Sequence, residues 1–200
     1  PINFDGNVHI PANTNFIFGE NAYLIIKGAL FANGKTSEPI TFLPESKSWK
    51  GIYVLNASNE SRLENVHIAG LQALSDGILN LTGGINFYKS DVIITDSFIS
   101  KVFAEDALNV VKSNFSINNL KIEETVSDGI DSDFSEGEIK NSFFREIKGD
   151  ALDFSGSTVL IANVNTFDVF DKAISAGEQS NIVINSSQLM NSNIGITSKD

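Results

Sequence analysis

Along residues 106–196 the apolar positions return at an interval of 22. Leu108, Ile130, Leu152, Ile174 and Ile196 form one such series; Ile117, Ile139, Ile161 and Val183 form a second. Two places after the second series a polar position repeats, as Asn119, Asn141, Asn163 and Asn185. Inside each unit the apolar residues alternate in short bursts, Leu152/Phe154, Val159/Ile161 and Val164/Thr166. That is the two-residue period of a half-buried strand and not the 3.6 of a helix. Turn formers such as Ser155-Gly156-Ser157 and Ala176-Gly177-Glu178 separate the bursts, and no window of a dozen residues carries a capped helical stripe. The pattern therefore predicts an all-β solenoid, a parallel β-helix with three short strands per coil. Each strand pairs with its copy one coil later, about 4.8 Å away. The asparagine series is expected to be an interior amide ladder at a bend, with stacked copies satisfying one another's hydrogen bonds.

The N-terminal part follows the same architecture less strictly. Val8-His9-Ile10, Phe16-Ile17-Phe18, Tyr23-Leu24-Ile25-Ile26, Ile40-Thr41-Phe42 and Gly51-Ile52-Tyr53-Val54 read as strands separated by turn residues. The chain thus divides into irregular N-terminal coils over 1–62, coils carrying an insertion over 63–105, and regular coils over 106–200, all within one elongated domain spanning 1–200. Between Asp76 and Asp106 the interval grows to 30, which places extra residues near 83–90, around Gly83-Gly84, as a bulged loop and a wall for a surface groove.

Composition sharpens this picture. With 42% hydrophobic residues and 15 Phe against 3 Tyr and 1 Trp, the chain can fill a long, narrow, dry core of roughly nine coils. The absence of Cys removes disulfides and thiolate chemistry. A net charge of -11 repels phosphates, so nucleic acid is not an expected partner. No segment reads as a signal peptide or membrane span. The start at Pro1 and the strand-like close at Ile194-Gly195-Ile196-Thr197 predict a piece of a longer chain with further coils or a cap.

Trp49-Lys50-Gly51-Ile52 after Pro39-Ile40-Thr41-Phe42, followed by the 22-residue coils, resembles the right-handed β-helix proteins of the pectin-lyase-like superfold. Gly149-Asp150-Ala151-Leu152-Asp153-Phe154-Ser155-Gly156-Ser157, Asp171-Lys172-Ala173-Ile174-Ser175 and Gly195-Ile196-Thr197-Ser198-Lys199-Asp200 are similar, more narrowly, to β-helix domains attached to bacterial spore-coat-H-like proteins. The resemblance implies a right-handed, single-stranded coil and a secreted or cell-surface setting. It leaves activity open, because the superfold hosts lyases, hydrolases, adhesins and passive spacers.

Candidate chemistry comes from what stacking does to the acidic residues. The unit-start series reads Asp106, Asp128, Asp150 and then Lys172; three places later stand Asn109, Asp131, Asp153 and Ser175; Asp133 follows Asp131 by two. Unit charges about 5 Å apart repel by roughly 3 kcal/mol at an effective dielectric near 20, so the cluster needs protons, a counter-ion or a use. Three readings fit. It can be a solvated acidic edge. It can be a calcium site built from Asp128, Asp131, Asp133, Asp150 and Asp153. Or it can be a polysaccharide-processing centre, with Asp131 and Asp153, or Asp128 and Asp150, as acid and base or nucleophile. A lyase variant would use Lys172 as base, although Lys172 reads better as the electrostatic end of the ladder. Arg145 and Lys148 are weaker acid partners, His9 and His67 read as strand residues, and Trp49 reads as packed rather than displayed. The favoured expectation is a non-catalytic extracellular or cell-surface module whose rigid face binds a polysaccharide, a cell-surface glycan or another partner. A hydrolase or lyase is the alternative.

Overall fold

Each burst of alternating residues becomes a strand because only one of its faces can be buried. In the computed structural model, which describes residues 2–75 and 80–199, all regular structure among the described residues is β. Parallel pairing winds it into a solenoid of about eight turns of roughly 23 residues. The first face carries Ile52–Leu55, Gly83–Tyr88, Asp106–Val111, Asp128–Asp133 and Leu152–Ser155 in consecutive coils. The second carries Ser61–Glu64, Glu136–Lys140, Thr158–Ala162 and Asn181–Asn185, together with the first halves of Val92–Val102 and Asn114–Thr125. The third carries Val66–Ala69, the second halves of those two long strands, Phe143–Ile147 and the start of Asn165–Ala176.

The series Leu108, Ile130, Leu152, Ile174 and Ile196 is in register at every step, and the first four of its members are fully buried. Burying such a side chain stabilises by about 1.5–3 kcal/mol. At the N-terminal end the core is aromatic: Trp49 is fully buried, its ring 4.0 Å from that of Phe18, and its indole N–H donates to the Ala69 carbonyl at 2.9 Å. His9 and His67 are strand residues on the outside, stacked on Phe31 and set edge-on to Phe98.

The corners obey a rule that alternation does not reveal. Three columns of residues take left-handed backbone angles: Asn56, Lys89, Lys112, Phe134 and Gly156 after the first face; Asn65, Asp96, Asn119, Asn141 and Asn163 after the second; Lys101, Glu124, Glu146, Asp168 and Asn191 near the end of the third. The asparagines are there because Asn tolerates this conformation better than other residues with a Cβ. They are therefore exposed and not interior as expected. Their amides still form a ladder, Asn141 donating to Asn118 and Asn163 to Asn141, both at 2.7 Å. The buried polar ladder is instead serine. Ser113, Ser135 and Ser157 each accept the backbone N–H of the serine one coil earlier, at 2.8 to 3.1 Å, and donate to a carbonyl two residues back.

The repeat also slips once. The turn after Ala176 holds one residue more than its predecessor, so Ile161 pairs with Ile184 and Ala162 with Asn185. Val183 thus faces outward at 49% exposure, and Asn185 leaves the asparagine column. The extra residues before Asp106 lie in the segment that holds the antiparallel pair Leu74–Ser75 and Asn80–Leu81, ahead of Gly83-Gly84, which sits in an in-register strand. Leu74 packs on Ile25 and Tyr53, on the outside of the first face. Asp76 lies outside the described residues.

Ser135→Ala leaves the buried Ser113 N–H without its acceptor, and is expected to lower unfolding stability by about 1–3 kcal/mol. Urea denaturation measures this, and an unchanged midpoint would show that the serine column is dispensable.

Candidate functional site

The first face brings the sequence-predicted acidic residues together. Asp106 pairs with Asp128, Asn109 with Asp131, and Asp131 with Asp153 in the parallel register, so equivalent carboxylates stand one strand spacing apart. They divide into two groups by what they touch.

Asp106, Asp128 and Asp150 belong to the corner; Asp106 is held by the side chains of Thr82 and Asn109, while Asp128 and Asp150 serve the backbone. The Asp128 carboxylate accepts the N–H of Asp150 at 2.8 Å, and the Asp150 carboxylate accepts the N–H of Lys172 at 2.9 Å. Gly149 makes this possible, because a Cβ there would stand 1.9 Å from the Asp128 carboxylate oxygen. Lys172 closes the column, its ammonium meeting both Asp150 oxygens at 3.1 and 3.2 Å and Asp171 at 2.6 Å. The hydrogen bond to Asp171, helped by Asp150, raises the Lys172 pKa. A lysine held protonated in this way supplies no base at neutral pH.

Asp131, Asp133 and Asp153 point outward from the strands and are half-buried. One amide ties the two groups: Asn109 donates to Asp131 at 2.9 Å and to Asp106 at 3.2 Å. Among the described residues the side-chain carboxylates of Asp133 and Asp153 receive no hydrogen bond, so they can serve as acceptors for a ligand. Burial is the leading cause that pushes the Asp131 carboxyl up to about 8, with the charges of Asp106, Asp133, Asp153 and Asp128 adding to it. Burial likewise carries Asp106 to about 7, against the hydrogen bond from Thr82, and Asp128 to about 6, against that from the Asp150 N–H. Asp133 and Asp150 are raised as well, both first by burial. Asp131 thus holds its proton at neutral pH, which relieves its repulsion with the neighbouring carboxylates. Among the described residues no set of three His, Asp or Glu side chains is arranged to hold a metal ion.

The stripe has an aromatic border that the sequence did not advertise. Phe134 follows Asp133 with a left-handed backbone (φ 49°) and its side chain 61% exposed. A bulky residue in that conformation is an outlier, costing about 1–2 kcal/mol. Its ring lies against Gly156 one coil on, where a Cβ would come within 2.6 Å of it. Backbone strain of this kind clusters at binding and active sites, which makes the ring and the neighbouring Asp133 carboxylate a candidate ligand surface. Only the tight Phe134-Ser135 turn and the following Gly156 hinted at it in the sequence. Arg145 lies on the third face, beside Glu123 at 3.2 Å, away from the stripe.

No protein-family model matches the sequence, and no curated protein matches it. Similar solved structures exist. The catalytic domain of a GH87 alpha-1,3-glucanase in complex with nigerose aligns over 92% of this chain and 40% of its own, with a TM-score of 0.56 and 16% identity. A variant of that domain with one aspartate replaced by alanine, also with nigerose, aligns with a TM-score of 0.58 at 15% identity. This chain spans about 40% of the length of those domains. At such identity the likeness is one of fold. An alginate lyase from Paenibacillus sp. aligns at a TM-score of only 0.30 and adds nothing.

The raised acid pKa values set a direction for stability. An acid whose folded pKa lies above its unfolded value keeps a proton that the unfolded chain has already released, so stability falls as pH rises from about 4 through the folded value. Melting temperature is expected to drop between pH 5 and pH 9, with Asp131→Asn flattening the fall and melting higher than the parent at pH 9. Calorimetry at both pH values checks this; a parent Tm that climbs with pH would refute the buried-acid account.

Proposed function

We propose that this chain is a carbohydrate-binding β-solenoid of the cell surface or extracellular space, which holds a polysaccharide along its first face. The observation that carries the reading is the joint presence of outward carboxylates at Asp133 and Asp153 on the first face, without side-chain hydrogen bonds, and an exposed aromatic ring at Phe134 on the corner that follows. Carboxylates accept hydrogen bonds from sugar hydroxyls, and an aromatic face packs against the apolar face of a pyranose. Asp131 and Asp153 stand in register one strand spacing apart, about 4.8 Å, so the face offers carboxylates to successive units of an extended polymer. The solenoid glucanase domains bound to nigerose support the choice of ligand class by analogy of fold. The role is non-catalytic in this reading, since Asp106, Asp128 and Asp150 are engaged by amide or backbone N–H donors and Lys172 is held protonated. The absence of any helix long and apolar enough to cross a membrane, among the described residues, is compatible with this.

A second reading rests on one specific feature. Asp131, raised to about 8, is an acid at neutral pH directly beside Asp153 in the register, the juxtaposition that glycoside hydrolysis requires of its acid and its second carboxylate. Under that reading Asp131 donates the proton to the leaving oxygen, and Asp153 acts as nucleophile or base. The two readings separate in one experiment: incubation with a polysaccharide panel, followed by reducing-end and unsaturated-uronate assays alongside affinity electrophoresis. Retardation without product supports the binding module; new reducing ends lost in both Asp131→Asn and Asp153→Asn support the hydrolase; neither retardation nor product discards both.

Phe134 gives a sharper test. Phe134→Asn should keep or raise the melting temperature, because Asn already occupies this left-handed column at position 56, while retardation by the retained polysaccharide should fall at least several-fold. Unaltered retardation would remove Phe134 from the site.

A further inference from the structure

The corner that leads from the third face into the first holds a groove separate from the acidic stripe. Phe103, Val126, Lys148 and Phe170 occupy corresponding positions in successive coils, with Val126 and Phe170 exposed at 53% and 61%. Val126 and Phe170 are thus two exposed apolar side chains on one edge, with Lys148 between them and the half-buried Phe103 before them. Beside this column lie two adjoining cavities. The larger, about 540 Å³, is lined by Glu146, Lys148, Asp168, Phe170, Asn191 and Asn193 among others. The second, about 330 Å³, shares Glu146 and Lys148 and reaches Phe103, Glu124 and Val126. Together they run along the solenoid axis across several coils.

The polar lining is set by the backbone. Lys101, Glu124, Glu146, Asp168 and Asn191 form the left-handed column at the end of the third face, so after Lys101 each coil projects one carboxylate or amide at the same place. The Asn191 amide donates to Asp168, which fixes the orientation of that pair. Lys148 stands 3.5 Å from the centre of the Phe170 ring and supplies a donor directly over it. The wall is thus a row of acceptors, with amides and the Lys101 and Lys148 ammoniums as donors, beside the apolar side chains of Phe103, Val126 and Phe170. Three carboxylates, Glu124, Glu146 and Asp168, against those two ammoniums give the groove no net positive charge, which disfavours an anionic polymer and suits a neutral one rich in hydroxyls.

We propose that this corner groove is a second saccharide-binding site, which takes a neutral glycan lying parallel to the solenoid axis, with one sugar ring packed against the face of Phe170 turned away from Lys148 and its hydroxyls bonded to Asp168, Asn191 and Glu146. The choice of a sugar as ligand rests on the carbohydrate reading of the chain; the position of the site does not. The two binding regions lie on neighbouring surfaces, since Lys148 and Phe170 precede Asp150 and Lys172 by two residues. A polymer could engage both or either.

The test uses the whole chain, titrated with nigerose and with longer neutral gluco-oligosaccharides, followed by amide NMR shifts and calorimetry. Saturable shifts centred on residues 168–170 and 191–193, with the affinity read from those shifts at least tenfold weaker in Phe170→Ala, are the expected result. Melting curves verify that Phe170→Ala remains folded, as its exposure implies. If Phe170→Ala binds like the parent while the shifts gather at Asp131 and Phe134, the groove is overturned and the stripe stands. If no neutral oligosaccharide binds, the groove is overturned as well; binding of uronate oligosaccharides in the same assay would then preserve a carbohydrate role without it.

Discussion

A parallel coil has no hydrogen-bonding partner except the coil before and the coil after, and every other property of this molecule descends from that dependence. Strands of a few residues are too short to stand alone, so their backbone groups are satisfied only when equivalent residues lie in register, one strand spacing apart. The register carries side chains with it. What is apolar in one coil must be apolar in the next, and what is charged meets its own copy. The serine column shows the strictness of the condition: a hydroxyl at Ser135 both receives an N–H from the coil below and returns a hydrogen bond to its own.

For the acidic residues the same register is a difficulty turned into a surface. Alignment forces Asp106 over Asp128 and Asp131 over Asp153. The chain meets the repulsion in three ways along one short column: an amide at Asn109 bridges two carboxylates, backbone N–H groups occupy Asp128 and Asp150, and the Lys172 ammonium ends the series. Asp133 and Asp153 are what remains after these remedies. That residue of unsatisfied capacity, next to a strained Phe134, is the reason to look for a ligand there and not at the corner carboxylates.

The sequence made much of this legible, because period and register are the same information. The pairing of Leu108 with Ile130 and of Asp131 with Asp153 follows from counting. What counting could not supply was backbone conformation. Asn119, Asn141 and Asn163 look alike whether they fill an interior or turn an exposed corner, and only the left-handed angles decide it. Serine is too common in turns for Ser113, Ser135 and Ser157 to be noticed as a buried column. Phe134 was hidden because a phenylalanine is not expected where glycine or asparagine belongs. The position of the hairpin before Gly83 was missed for a simpler reason, since a longer interval gives the number of extra residues but not where they leave the coil.

The slipped turn after Ala176 has a consequence for how such a molecule can change. Its additional residue shifts the second and third strands of that coil by one, yet the frame is restored before the first face is reached again, through an irregularity between Val169 and Lys172 on one side and Ser192 and Ile194 on the other. The error is confined to a single revolution. A solenoid of this kind reads its sequence one face at a time, so insertions and deletions at the edges can accumulate as compensating pairs while the acidic surface keeps its phase. Evolution is then free to reshape two sides of the rod without re-tuning the third.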